Sequence, residues 1–88
     1  MSNKYEVVFS RQADRALRRM PRNVAALIRS KIDEIAEAPY QQHNNVTKLV
    51  GRSGYRLRVG DWRVLYDLED QRLVMLVVRI GPRGSVYE

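Results

Sequence analysis

Arginine recurs at alternating positions in the second half of this chain. Arg56 and Arg58 are separated by a single leucine, and Arg63 follows them across a Gly-Asp turn signal. Residues two apart on a strand share one face of a sheet, and a tight turn would return Arg63 beside the first two. Arg83 follows a later apolar segment, and Tyr87 comes four residues after it. The spacing predicts four guanidinium groups and a phenol on one sheet face.

A face of this kind favours an anionic partner. Like charges directly opposite each other on a sheet destabilise it by about 0.2–1 kcal/mol per pair. Arginine forks match phosphate and carboxylate geometry, and the net charge of the chain is +6, mostly from arginine. Nucleic acid is the first candidate partner and an acidic protein is the second. The alternative is a solvated basic strand that deters sheet-to-sheet aggregation, with Tyr87 serving only in packing.

Composition excludes several other chemistries. The 88 residues contain no cysteine, which excludes disulfides, thiolate catalysis and zinc fingers, and their one histidine, His43, lies in a polar loop. We therefore expect no metal and no cofactor. No apolar run approaches the roughly 20 residues of a membrane-spanning helix, and the first ten residues lack the apolar core of a signal peptide. These features predict a soluble cytoplasmic protein that makes no membrane contact.

The first half of the chain reads as a strand followed by two helices. Alternation over residues 5–10 predicts a short strand, with Ser10 capping the helix that follows and Pro21 ending it. Four arginines form the polar side of this first helix: Arg11, Arg15, Arg18 and Arg19.

A second helix is predicted over residues 22–38 and ends at Pro39. Its apolar positions follow the three-and-four spacing of one buried stripe: Val24, Leu27, Ile28, Ile32 and Ile35. Two consecutive helices with one apolar stripe each predict a hairpin that covers a sheet.

The second half of the chain predicts that sheet. Strand patterns cover residues 55–59, 62–68 and 72–80, and turn signals separate them. Trp62 falls on the apolar side of the middle strand, where it serves either as core or as a stacking platform for a base. The sequence thus predicts one α+β domain over residues 1–88, in which an N-terminal strand and a two-helix hairpin pack on an antiparallel β-sheet.

Three segments together resemble the RelE/ParE superfamily of bacterial toxins from type II toxin–antitoxin systems, and its RelE-like mRNA interferase branch most of all. The similarity extends over nearly the whole chain. The matching segments are Lys48-Leu49-Val50-Gly51, then Tyr55-Arg56-Leu57-Arg58-Val59-Gly60-Asp61-Trp62-Arg63-Val64-Leu65-Tyr66, and finally Arg79-Ile80-Gly81-Pro82-Arg83-Gly84-Ser85-Val86-Tyr87.

The resemblance implies a ribosome-dependent, metal-independent endoribonuclease. A ribose 2′-OH attacks the adjacent phosphate, and a 2′,3′-cyclic phosphate and a 5′-OH result. The resemblance assigns catalytic roles to Arg56, Arg58, Arg63, Arg83 and Tyr87. It further implies RNA contacts at Lys48, Arg52 and Trp62, and docking on the ribosome through Arg11, Arg15, Arg18 and Arg19.

Two features of the sequence, at three positions, depart from the pattern of strong nucleases in the superfamily. Arg56 and Arg58 stand where lysine is common, and Pro82 stands where many relatives carry histidine or lysine. Arginine clamps phosphate well but is a poor general base. The assignment of general acid and base therefore stays open, with Tyr87 as one candidate.

The resemblance also leaves two other functions open. One is a ParE-like inhibitor of DNA gyrase on the same fold, and the other is a weakened relative that acts through antitoxin and operator binding. The expected partners are an acidic cognate antitoxin, the 30S A site with its mRNA, and operator DNA only as the toxin–antitoxin complex. The charge of +6 favours fast, salt-sensitive association with an acidic chain.

Overall fold

The fold consists of two helices packed on one face of a five-stranded sheet. The computed structural model describes residues 4–83. In chain order the elements are β1 (Glu6–Phe9), α1 (Arg11–Arg19), α2 (Arg22–Glu37), β2 (Val46–Lys48), β3 (Tyr55–Val59), β4 (Trp62–Glu69) and β5 (Val74–Pro82). The predicted α+β class is confirmed.

The sheet has the strand order β1-β5-β4-β3-β2. Strands β2 to β5 form antiparallel pairs, whereas β1 pairs in parallel with β5, so the sheet is mixed rather than antiparallel throughout. Strand β2 was not predicted, because three residues with one half-buried valine, Val46, carry too short an alternation to be recognised. Strand β5 begins two residues later than predicted, since Leu73 adopts a left-handed turn conformation (φ 51°).

Helix α1 is attached to the free edge of β5 by side chains. Ser10 caps the helix as predicted, accepting a bond from the Ala13 backbone nitrogen (3.1 Å), and its hydroxyl donates to the Val78 carbonyl oxygen (2.6 Å). The amide of Gln12 donates to the Ile80 carbonyl oxygen (2.8 Å) and accepts from the Ile80 nitrogen (2.9 Å). Gln12 thus replaces the strand partner that β5 lacks beyond the end of β1.

Helix α2 buries a narrower stripe than the sequence predicts. Ile28, Ile32 and Ile35 are buried as expected, but Leu27 is 50% exposed. The fourth buried position is Ala36, which follows Ile32 by four residues and Ile28 by eight. Residues at this spacing share one side of the helix, because each residue turns the helix by about 100°. Leu27 lies at the side of this stripe.

The core lies between the helices and the inner face of the sheet. Val64, Tyr66, Met75, Val77 and Ile80 are almost completely buried there with the isoleucines of α2. A β-bulge between Leu65 and Tyr66 shifts the pairing of β4 with β5, because Leu65 pairs with Arg79 and Tyr66 with Val77. Beyond the bulge, β5 continues as the attachment site for α1.

A carboxylate ties three chain segments together at the opposite end of the sheet. Asp70, in the β4–β5 turn, accepts hydrogen bonds from the Tyr5 hydroxyl (2.8 Å) and the Tyr40 hydroxyl (2.6 Å). Bonds from Tyr40 and then Tyr5 lower the pKa of Asp70, and the same bonds raise the pKa of both tyrosines. The cluster links the segment before β1, the loop after α2 and the β4–β5 turn.

Candidate functional site: a basic sheet face and an adjoining groove

The face of the sheet opposite the helices, here called the outer face, carries a pair of arginines in direct register. Arg58 on β3 is the cross-strand partner of Arg63 on β4. Neighbouring strands are about 4.8 Å apart, so the two side chains leave the sheet side by side. The hairpin turn at Gly60 (φ 55°) brings them together, as the sequence predicts.

Arg63 is held by the turn that positions it. Its Nη1 donates to the carbonyl oxygens of Gly60 and Trp62, both at 3.1 Å. These bonds orient the guanidinium plane and leave its other nitrogens available to an anion. The side chain of Arg63 is half-buried, whereas that of Arg58 is exposed.

The end of β5 brings Arg83 to the same turn. Gly81 is the partner of Arg63 in the sheet, and the Arg83 nitrogen donates to the Asp61 carbonyl oxygen (2.8 Å). The backbone of Arg83 therefore lies beside the β3–β4 turn, near the Arg58–Arg63 pair in the register of the sheet but distant from it in sequence. Tyr87, which is predicted to complete the site, lies outside the described residues.

A second basic row lies one step along the outer face. Arg56 pairs with Leu65, and Leu65 pairs with Arg79. Leu65 is only 3% exposed although it lies outside the main core cluster. Sequence reasoning missed Arg79, which is the one charged residue within the otherwise apolar β5 segment 74–80. A single charge in an apolar strand was the feature of the sequence that could have identified Arg79 as a site residue.

Lys48 and Arg52 lie with Arg56 around a shallow depression of about 410 Å³ at the β2–β3 loop. Val50 at its rim is 97% exposed. The structure thus brings together two of the three residues predicted to contact RNA. Trp62, the third, lies elsewhere.

Trp62 belongs to a groove of about 790 Å³ between α1 and the end of the sheet, here called the α1 groove. Its walls carry four arginines, Arg11, Arg15, Arg19 and Arg79. Trp62 is half-buried and packs against the core, as the first of its two predicted roles requires, and it also lines the groove.

Arg18 is separated from the other arginines of α1. It does not line the groove but forms an ion pair with Asp14 (3.1 Å), one helical turn away. The predicted four-arginine surface of α1 is therefore divided, because a spacing of four residues keeps Arg11, Arg15 and Arg19 on one side of the helix.

The one histidine, His43, has a structural partner. Its Nε2 lies 2.7 Å from the Ala38 carbonyl oxygen at the end of α2.

Within residues 4–83, no three Asp, Glu or His side chains are arranged to hold a metal ion. Over the same residues, neither helix is long and apolar enough to cross a membrane.

Fold and site together define a small α+β protein with a polycationic sheet face. Residues 7–87 match the family model described as the ParE toxin of the type II toxin–antitoxin system parDE. The chain belongs to this toxin family, within the RelE/ParE superfamily.

Several proteins that are similar to this chain are named RelE. The chain is 25% identical over 85 residues to the mRNA interferase toxin RelE of Escherichia coli K12, and the match covers 94% of this chain and 90% of that protein. In the crystal structure of the archaeal RelE–RelB complex from Pyrococcus horikoshii, one chain has a TM-score of 0.80 and 28% identity, with 94% of this chain and 99% of that one covered.

Isolated RelE from E. coli shares the fold. Its crystal structure has a TM-score of 0.78 at 24% identity, with coverage of 91% of this chain and 85% of that one.

Proposed function

We propose that this protein is the toxin of a type II toxin–antitoxin system and acts as a ribosome-dependent mRNA endonuclease. The observation that carries the proposal is the arrangement of Arg58, Arg63 and Arg83 around the β3–β4 turn. Three guanidiniums held close together are unfavourable in the free protein and are suited to a phosphate that gains charge during reaction. The name of the E. coli relative, an mRNA interferase, supports the same activity.

The reaction is an attack of a ribose 2′-oxygen on the adjacent phosphorus. The bond from phosphorus to the 5′-oxygen of the next nucleotide breaks, and the products are a 2′,3′-cyclic phosphate and a 5′-OH. Arginine, with a pKa above about 12, stays protonated, so Arg58, Arg63 and Arg83 would stabilise the charge on phosphorus rather than move protons. Tyr87 is the proposed proton donor to the 5′-oxygen, and the proton of the attacking 2′-OH would pass to water.

The ribosome would hold the RNA in the orientation that the reaction needs, which these arginines alone do not provide. An mRNA strand held in the A site can present its 2′-oxygen in line with the scissile bond, and such positioning is worth several kcal/mol of barrier. Arg56, Lys48 and Arg52 border one depression and would hold the strand on one side of the cleaved phosphate. The basic surface of α1 is the proposed contact with ribosomal RNA.

An antitoxin would neutralise the toxin by covering the outer face. Solved relatives include RelE–RelB complexes, which supports a partner of this class. An acidic chain would remove the repulsion between Arg58 and Arg63 on binding.

The test is a short pulse of expression of the full chain in cells, with mapping of mRNA 5′ ends while translation runs or is blocked. We expect new 5′-OH ends within translated reading frames, and their loss when ribosomes are removed from the message. Arg63→Ala is the matched control. Growth arrest without new mRNA ends would overturn the proposal.

Inhibition of DNA gyrase is the second candidate, and the match to the ParE family model favours it. Such an inhibitor would act through protein contacts and would need no cluster of phosphate-binding groups. Purified protein added to a gyrase supercoiling assay distinguishes the two. Inhibition that survives Arg63→Ala, with intact mRNA in the cells, would replace the nuclease with a gyrase inhibitor.

A further inference from the structure

The α1 groove has features that the chemistry at the β3–β4 turn does not use. Arg11, Arg15 and Arg19 follow one another at intervals of four residues, and a rise of 1.5 Å per residue spaces their Cα atoms by about 6 Å. Arg79 is part of the sheet wall opposite them, although by register it belongs to the outer face with Leu65. The result is a ladder of three guanidiniums along the helix wall of the groove.

The arginines that line the groove have no acidic partner among residues 4–83. None of them has a carboxylate of these residues within ion-pair distance, and none of the described lining residues is acidic. Like charges one helical turn apart destabilise a helix by about 0.2–0.5 kcal/mol per pair. By contrast, Arg18 on the same helix is paired with Asp14. The charge is therefore concentrated on the side of α1 that faces the groove.

The remaining wall is aromatic and apolar. Trp62 lines the groove beside Met20 and Pro82. One part of the indole packs against the core, which fixes the ring, and the half-buried side chain retains an accessible part. A fixed aromatic ring beside arginines is the arrangement by which proteins bind single strands, with bases stacked on the ring and phosphates on the guanidiniums.

The groove is also closed to a peptide strand. Both backbone groups of Ile80 are bonded to Gln12, and the Val78 carbonyl oxygen accepts from Ser10. An acidic peptide therefore cannot extend the sheet at this edge of β5. This argues for a ligand that is recognised through phosphates and a base rather than through peptide-backbone hydrogen bonds.

We infer that the α1 groove binds a short single-stranded RNA segment, with successive phosphates on Arg11, Arg15 and Arg19 and a base stacked on Trp62. The end of β5 forms the opposite wall of the site, and Arg79 in this wall belongs by register to the outer face, where it pairs with Leu65. The inference rests on the docking step of the proposed function, because it specifies unpaired RNA, distinct from the cleaved strand, as what α1 recognises.

The experiment uses Trp62 as its own reporter, since the chain has one tryptophan. The full-length protein is titrated, without ribosomes, with 2′-O-methyl oligouridine, which lacks the 2′-OH needed for cleavage. We expect quenching of Trp62 fluorescence and binding that weakens with salt. For single strands, each phosphate contact contributes a slope of about −0.7 in the logarithm of affinity against the logarithm of salt concentration.

Variants locate the site. Arg15→Ala and Arg19→Ala should each weaken binding and reduce the salt slope by about 0.7. Arg18→Ala removes the same charge from the same helix outside the groove and should leave the affinity within about twofold of wild type, because its charge is already paired. Trp62→Ala, followed by anisotropy of a labelled oligonucleotide, should lose about 5- to 150-fold in affinity, which corresponds to about 1–3 kcal/mol per stacked base.

Four results would overturn the inference: no quenching at low salt, equal weakening by Arg18→Ala and Arg15→Ala, equal affinity for duplex RNA, or tighter groove binding by an acidic helical peptide. The last would make the groove a protein-binding site. Arg72→Ala, at the β4–β5 turn away from both the groove and the outer face, should bind the oligonucleotide like wild type. Groove binding is read from Trp62 fluorescence without ribosomes and nuclease activity from mRNA ends, so either one can fail without the other.

Discussion

Arg58 and Arg63 are direct cross-strand partners on an exposed sheet face, although both carry a positive charge. Arg63 is further fixed by two bonds from its Nη1 to the carbonyl oxygens of the hairpin turn. The protein thus holds two guanidiniums together at the cost of folding stability. Proteins commonly accept this kind of local conflict where a ligand later resolves it.

Arg58→Glu should raise stability and remove toxicity together. The substitution replaces repulsion opposite Arg63 with an attractive pair, a change of about 0.4–2 kcal/mol if each term is about 0.2–1 kcal/mol. The melting temperature and growth arrest are measured on the same variant. Lys31→Glu, at an exposed position of α2, controls for lowering the net charge. A variant that melts lower than wild type would contradict the repulsive pair.

Arg63→Lys separates charge from geometry. Lysine keeps the positive charge but loses the planar fork, so we expect mRNA cleavage to fall by at least tenfold. Arg63→Ala should lose cleavage altogether, and both variants should lose no more than about 1 kcal/mol of stability, from the bonds to the turn. Full activity in Arg63→Lys would mean that the site needs only a charge at this position.

Tyr87→Phe and Tyr87→Ala test the proposed proton donor. A phenol with a pKa near 10 is protonated at neutral pH and can donate. Loss of cleavage on translating ribosomes in both variants would assign the role to the hydroxyl. Loss in Tyr87→Ala alone would assign it to the ring. If both variants cleave as wild type does, Tyr87 has no part in the reaction.

Asp70 should cause the folding stability to decrease as the solution becomes acidic. Its pKa is lowered in the folded state by bonds from Tyr40 and Tyr5, so its contribution is present above the unfolded value of about 3.9 and is lost as pH falls through the folded pKa. Asp70→Asn should lower the melting temperature at pH 7 and make its decline below about pH 4 shallower.

Tyr5 and Tyr40 should make the folding stability depend on pH in the alkaline range. Their pKa values are raised in the folded state, so this contribution is present below about pH 10 and is lost as pH rises through the folded pKa values. Thermal melts of Tyr40→Phe and wild type across both ranges provide the comparison. Identical pH profiles would mean that the cluster does not couple protonation to folding.

Gly54→Ala should destabilise the β2–β3 loop, which follows Lys48 and carries Arg52. Gly54 has φ 107°, and a Cβ there would lie 2.9 Å from the Tyr66 carbonyl oxygen. A cost of about 1–3 kcal/mol is expected for a side chain forced into this conformation. Gly60→Asn is the matched control, since its φ of 55° suits asparagine and its side chain meets open space. Equal melting temperatures of the two variants would contradict the steric argument.

Local patterns in the sequence were sufficient for most elements and for one part of the site. Ser10 and Pro21 bound α1 because capping and helix breaking depend on neighbouring residues alone. Arg58 and Arg63 could be placed together because a strand, a two-residue turn and a second strand leave one register. These are short-range constraints, and they require no knowledge of the rest of the chain.

Only the tertiary structure decided the features that join distant segments. The parallel pairing of β1 with β5 and the bonds from Gln12 to Ile80 connect residues 68 positions apart, which no local period encodes. The same packing turns α1 so that Arg15 lines the groove with Arg79, while Arg18 pairs with Asp14. The sequence alone determined that the protein is basic. The packing of α1 against β5 determined which arginines share a site, because it sets how the helix is rotated about its axis.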